Sequence, residues 1–266
     1  MCGGKDRFSI NIRKQVFLCR GCDVAGDVIK LVQHLDRCTF AEAVELLTGE
    51  QARTPARRPP AAKKTKQSGA DYEREQHRKA AWLWSQRRPI SGTIAELYLR
   101  SRGITCPLPP TLGFLPATGT YPPAMIAAFA IPDEPEPGLL VPCNVHSVQL
   151  TRLLTDGSDR ERGGNAKIAV GGHEGLPIVV APVNDLCSLG ITEGIEDALS
   201  VHQATGLGAW AAGGATFMPS LADTVPDYVE AVTIFAHQDG NGAGQRGALT
   251  LARKITERGM EVTIEG

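Results

Sequence analysis

The chain has 266 residues, 42% of them hydrophobic and 21% charged, with a formal net charge of −1, which leaves room for two small domains or one domain with an appendage. No apolar run approaches the roughly 20 residues that a bilayer-spanning helix needs. Met1–Asp6 lacks the apolar core of a secretory signal, so a cytoplasmic protein with no membrane partner is expected.

Seven cysteines in such a chain favour metal ligation or simple burial over a disulfide framework. The charge is unevenly spread. Residues 51–90 hold eleven Lys/Arg against three Asp/Glu, a local +8 that leaves −9 for the remainder. A basic centre of this kind suits a polyanionic partner.

Residues 1–50 read as a small module ending in two helices. Val28, Ile29, Leu31, Val32 and Leu35, then Phe40, Ala43, Val44, Leu46 and Leu47, recur at helical spacing. Thr39 with Glu42 predicts a capping box for the second helix, and Gly49 its stop. Ahead of them, Cys19-Arg20-Gly21-Cys22 is a Cys-x-x-Cys knuckle, with Cys2 upstream in a Gly-rich turn. Tetrahedral zinc takes four thiolate or imidazole ligands, so Cys2, Cys19 and Cys22 are candidates. His34 and Cys38 are further possible ligands, with a helix face or the core as their ordinary place.

Residues 51–70 are rich in Pro, Ala, Lys and Arg, have almost no large apolar side chain, and read as a solvated linker. From residue 71 a mixed α+β region is expected. It has a helix near Tyr72–Gln86 carrying Trp82 and Trp84, and a short helix capped by Thr93 and Glu96 that ends at Gly103. Residues 104–140 are Pro-rich, irregular or made of short strands, and alternation over 139–170 suggests a small antiparallel sheet.

From residue 183 the pattern turns to strand, helix and strand: Leu186–Thr192, Ile195–Thr205 and Gly208–Ala212. A short helix near Pro219–Thr224 follows, then a strand at Ala231–Ala236, a helix at Gln245–Arg258 and a strand at Glu261–Ile264. That alternation predicts an α/β domain with a parallel sheet flanked by helices. Glu193 directly follows the first strand, Asp197 lies one helical turn on, and Asp239 follows the strand ending near Ala236. Carboxylates at the carboxyl ends of adjacent parallel strands point into the crevice where such sheets bind ligands. Clustered there they suit a hard cation such as Mg²⁺ and metal-assisted phosphoryl transfer.

Two stretches resemble known families. Cys2-Gly-Gly-Lys5-Asp6-Arg7-Phe8-Ser9-Ile10, Phe17-Leu18-Cys19-Arg20-Gly21-Cys22, Gly26-Asp27-Val28-Ile29 and Thr39-Phe40-Ala41-Glu42-Ala43 resemble the zinc-binding domain of bacterial and phage primases. That family places another cysteine three residues before the equivalent of Cys2. The expectation is a reading frame that starts upstream, or a zinc site short of one ligand. Ile191-Thr192-Glu193-Gly194-Ile195-Glu196-Asp197-Ala198-Leu199-Ser200 and Phe235-Ala236-His237-Gln238-Asp239-Gly240-Asn241-Gly242-Ala243-Gly244-Gln245-Arg246 look like the Toprim fold. The segment from Trp84 to Lys167 is more loosely similar to phage and plasmid primase–helicase proteins.

The resemblance implies a Toprim domain over 183–266 behind a zinc module (1–50), a basic linker (51–70) and a mixed region (71–182). It implies Zn²⁺ and Mg²⁺ (or Mn²⁺) as cofactors, Glu193 as acid/base or metal-orienting group, and Asp239 and Asp197 in the same catalytic set. His237 stands where relatives usually carry the first Asp of Asp-x-Asp, and imidazole prefers softer metals than Mg²⁺. The implied reaction is synthesis of short RNA primers from ribonucleotides on single-stranded DNA in replication of a mobile element, with a replicative helicase as candidate partner. Lys5, Arg7, Arg57, Arg58, Lys63, Lys64, Arg152 and Lys167 are candidate nucleic-acid contacts. Phe8 and Phe17 are either stacking platforms for bases or core residues.

Three other readings compete. Gly242-x-Gly244-x-x-Gly247 before a helix, with Glu265 about 20 residues on, fits a dinucleotide-binding fingerprint, although His237–Asn241 intervenes where a tight turn is needed. A calcium loop starting at Asp239 fails, with Ala243 at a ligand position and Thr250 at the twelfth place, where a bidentate Glu should stand. A DNA-binding or regulatory primase remnant remains the non-enzymatic alternative.

Overall fold

The computed structural model describes residues 7–49, 69–119, 121–172, 175–237 and 242–266. The chain divides into two units, Met1–Thr65 and Lys66–Gly266.

In the first unit β1 (Phe8–Asn11), β2 (Val16–Cys19) and β3 (Val24–Asp27) form an antiparallel meander, with Phe8 opposite Cys19 and Cys19 opposite Val24. The period-2 geometry of a strand sends alternate β2 side chains inward. Phe17 and Cys19 are buried, whereas Val16 and Leu18 are exposed. Phe17 is therefore a core residue and not a stacking platform, while Phe8 is 46% exposed.

β3 runs straight into α1 (Val28–Asp36), whose start is capped by Asp27 accepting from the Lys30 amide. α2 (Phe40–Thr48) has the expected box: the Thr39 amide donates to Glu42 Oε2 at 2.7 Å, and the Glu42 amide donates to Thr39 Oγ1. Gly49 ends it in the left-handed conformation. Donation from the Thr39 amide, and from the Thr39 hydroxyl, holds the Glu42 carboxyl below its ordinary value.

The second unit begins with α3 (Gly69–Ser85), which buries Ala80 and Trp84 but leaves Trp82 exposed. β4 (Arg88–Pro89) and α4 (Ile94–Ser101) follow. Thr93 does not cap α4. Its hydroxyl donates to the Ile90 carbonyl, and Glu96 reaches one residue further back to accept from the Gly92 amide at 2.7 Å. β5 (Leu112–Leu115), β6 (Ala124–Ala128), β7 (Val148–Arg152) and β8 (Lys167–Val170) join β4 in a five-stranded antiparallel sheet in chain order.

β6 is buried along its whole length. Ile126 and Ala128 pack against α3, while Met125 and Ala127 face the opposite way, toward α4.

The C-terminal elements are β9 (Ile178–Ala181), β10 (Ser188–Thr192), α5 (Ile195–Thr205), β11 (Gly208–Ala211), a 3₁₀ segment at Ala215–Asp223, β12 (Ala231–Phe235), α6 (Ala243–Glu257) and β13 (Glu261–Glu265). Their sheet has the order β13-β12-β10-β11-β9. β10, β11, β12 and β13 run parallel, with β9 as an antiparallel edge. Helices cover both faces, as expected of an α/β sheet. Ile195, Ala198 and Leu199 of α5 lie on one side. Ala248, Leu251 and Ile255 of α6 lie on the other.

The two sheets share a core. Leu99 and Ile104 near α4, Met125 and Phe129 at β6, Ile178 of β9 and Leu199 of α5 belong to one apolar cluster. The Ala130 amide donates to the Pro177 carbonyl, and the buried Thr111 hydroxyl donates to the Val179 carbonyl at 2.6 Å. Among the described residues no helix is long and apolar enough to cross a membrane.

Candidate active site

β10 lies between β12 and β11, so its carboxyl end opens at the middle of the parallel sheet. The strand stops at Thr192, which is buried and whose hydroxyl donates to the Gly194 carbonyl at 2.8 Å. Glu193 follows, half-buried, and its carbonyl accepts from the Gly213 amide just past β11. α5 then starts at Ile195, with Asp197 in its first turn.

Gly194 is what lets Asp197 fold back over the strand end. A β-carbon at position 194 would stand 3.0 Å from Asp197 Oδ2, inside ordinary contact distance. The space a side chain would take is thus left to carboxylate oxygens, a cradle suited to a hard cation.

Neighbouring parallel strands deliver their loops to the same edge. β12 pairs with β10 with Ile234 opposite Ile191, and His237 beyond β12 reaches the same cavity as Glu193 and Asp197. Asp239 itself lies outside the described residues.

The cavity, about 380 Å³, has a second wall that comes from the middle region: Tyr98 of α4, Arg102 at its C-cap, Gln149 of β7, Arg160, and Lys167 of β8. Glu196 links the two walls. It accepts from the Tyr98 hydroxyl at 2.7 Å and from Lys167 Nζ at 3.3 Å. Burial by itself would raise the Glu196 carboxyl, but the Lys167 ammonium and the Tyr98 donor hold it below its ordinary value. The same contact, with burial first and then the Glu196 charge, pushes the Tyr98 phenol up, so it stays a protonated donor. Arg102 lies 5.3 Å over the Tyr98 ring and pairs with Asp159 at 2.6 Å. The cavity therefore has an anionic end at Glu193 and Asp197 and a cationic wall at Arg102, Arg160 and Lys167.

Of the residues picked out by sequence, Glu193, Asp197, His237 and Lys167 meet here. Arg152, half-buried on β7, does not line the cavity. Arg7 is exposed in the first unit, and its carbonyl accepts from the Arg20 amide. Cys2, Lys5, Arg57, Arg58, Lys63 and Lys64 lie outside the described residues. Sequence reasoning missed Tyr98, Arg102, Gln149, Arg160 and Glu196. Tyr98 in the last turn of α4 and Arg102 at its C-cap stand four apart, and Glu196 makes a third acid within five residues; these were the available signals.

In the first unit Cys19 and Cys22 stand together, as the knuckle predicts. Their sulfurs and a ring nitrogen of His34 all lie within 4.8 Å of one another. Cys38 is not part of that group.

Comparison with known families agrees with this geometry. Residues 5–58 match the CHC2 zinc finger, residues 188–265 match the Toprim domain, and residues 74–180 match a domain of unknown function, DUF7146. The C-terminal sheet with its acidic strand end is a Toprim domain, and the N-terminal module is a zinc ribbon. The chain thus matches a CHC2 zinc finger at one end and a Toprim domain at the other, with the DUF7146 segment between them. A comparison with curated proteins gives no match. Among solved structures, the zinc-binding and RNA polymerase domains of the Aquifex aeolicus primase align over 99% of this chain and 71% of that one, at 17% identity and a TM-score of 0.46.

Proposed function

We propose that this chain joins ribonucleotides into short primers on single-stranded DNA, in the cytoplasm, in replication of a mobile element. The observation that carries the reading is the bipolar cavity at the end of β10. Carboxylates that suit a divalent cation face guanidinium and ammonium groups that suit a triphosphate.

In this reading Glu193 orients the site or moves a proton at the attacking hydroxyl, with Asp197 and Asp239 completing the acidic end. The divalent ion, Mg²⁺ or Mn²⁺, supplies charge stabilisation on the transferred phosphoryl group when bound. Arg102, Arg160 and Lys167 hold the triphosphate so that its reacting phosphorus meets the acidic end. The zinc module and the basic linker, including Lys5, Arg7, Arg57, Arg58, Lys63 and Lys64, hold template phosphates. A replicative helicase is the candidate partner.

His237 favours a second reading. It occupies the cavity where a carboxylate would strengthen the acidic end, as in a template-binding protein that has lost synthesis. The dinucleotide reading gains little, because His237–Asn241 separates the strand from the first glycine, where that fingerprint needs a tight turn.

Primer synthesis with labelled ribonucleotides, single-stranded DNA and Mg²⁺ tests the proposal. Product is expected, and Glu193→Gln should lower it by about a hundredfold or more, as loss of a catalytic acid/base group does. Template binding without product would install the remnant reading instead.

A further inference from the structure

The first unit has a thin core. Among its described residues only Phe17, Cys19 and Ala43 are buried apolar side chains. A module of this size with so little apolar burial needs another source of stability, and a structural metal is the usual one. The zinc reading of the Cys19–Cys22 knuckle supplies part of it. Two thiolates in one turn do not by themselves tie that turn to the helices.

We propose that His34 is a zinc ligand beside Cys19 and Cys22, pinning α1 to the knuckle; this rests on the zinc reading of that module. The three ligand atoms lie within 4.8 Å of one another. Two thiolates on one tetrahedral zinc, each about 2.3 Å from the metal, stand about 3.8 Å apart. The cluster needs to contract by no more than about an ångström to share one ion.

The fold brings His34 there by stated steps. β3 passes directly into α1, and the Asp27 cap fixes the helix's first turn. Gly26 lets α1 come close, since a β-carbon there would stand 2.6 Å from Lys30 Cβ. Two turns on, the His34 ring lies against the buried Phe17 ring, with centroids 6.2 Å apart and planes inclined by 26°. Phe17 and Cys19 are both inward-facing on β2, so the ring that abuts Phe17 also meets the Cys19 sulfur.

The alternative is that His34 merely packs against Phe17, and two substitutions in the full chain separate the cases. His34→Phe keeps an aromatic ring on Phe17 but removes the nitrogen. His34→Cys removes the ring but restores a ligand. Zinc per chain, competition with a chelating indicator, and the visible spectrum of the Co²⁺-substituted protein are the measurements. His34→Phe should weaken zinc binding by at least about a hundredfold, more than loss of a supporting outer contact does. His34→Cys should retain zinc and gain thiolate-to-cobalt charge-transfer intensity. If the parent holds zinc and His34→Phe matches it in affinity and cobalt spectrum, the His34 assignment is wrong and the knuckle reading survives. A parent chain that takes up no zinc overturns both.

Discussion

Replacing Tyr98 with Phe removes one oxygen and leaves the ring in place, which isolates the hydrogen bond joining the two walls of the cavity. Tyr98 is 1% exposed, and its hydroxyl is one of two side-chain donors to Glu196, the other being Lys167. A hydrogen bond to a charged group contributes about 1.5–3 kcal/mol. The Lys167–Glu196 pair is partly solvated, with side chains 34% and 18% exposed, so it compensates little. We expect Tyr98→Phe to cost about 2 kcal/mol at pH 7. For a unit of some 200 residues this lowers Tm by about 4–8 °C.

The pH dependence carries the sharper test. The Glu196 carboxyl titrates below its ordinary value in the folded protein. Its contribution is therefore present at neutral pH and is lost as pH falls through the carboxylate range. Without the Tyr98 donor that carboxyl sits higher, with Lys167 still lowering it, so the gap between parent and variant should be widest near pH 7 and shrink below about pH 5. Thermal unfolding followed by near-ultraviolet circular dichroism from pH 7 to pH 4 gives the curve. Equal Tm values at pH 7, or a gap unchanged down to pH 4, would refute the reasoning.

Two further substitutions probe the site and the packing behind it. Arg160 is exposed on the cationic wall; Arg160→Ala should raise KM for the incoming nucleotide about tenfold with kcat within about twofold, the pattern of a group that holds substrate without entering the chemistry. Gly247→Ala would drive its methyl into the Ala215 carbonyl, 2.4 Å away. Urea unfolding should show a lower midpoint at unchanged slope and a loss of about 1–3 kcal/mol.

What could be read from residues alone followed the range of the forces. Elements set by local signals were legible: the Thr39–Glu42 box, the α5 span between Gly194 and Gly206, and the apolar runs that became β10, β11 and β12. The Thr93–Glu96 pair shows the limit. The same residue types at the same spacing reach different backbone partners, because Glu96 extends to Gly92 and Thr93 turns back to Ile90. The 3₁₀ segment begins at Ala215, ahead of the Pro219 at which the sequence placed a short helix, and carries Pro219 inside it.

β5 and β6 realise the short-strand alternative for a Pro-rich stretch, but their bounds were not legible because nothing local announces their long-range pairing. The cationic wall was hidden for the same reason. Arg102, Arg160 and Lys167 are separated by up to 65 positions in the chain and converge only through the register of the antiparallel sheet. Glu193 and Asp197 were legible because strand, carboxylate and helix are contiguous.

The apolar cluster common to both sheets has a consequence for how the polypeptide can be divided. A cut at 182/183 would carry β9 away with the middle region and bare the sides of Ile195, Leu199 and Ala209 that Ile178 and Val180 now cover. The acidic strand end and its cationic wall thus lie in one compact unit, Lys66–Gly266, and a division of the polypeptide that preserves both falls ahead of residue 66.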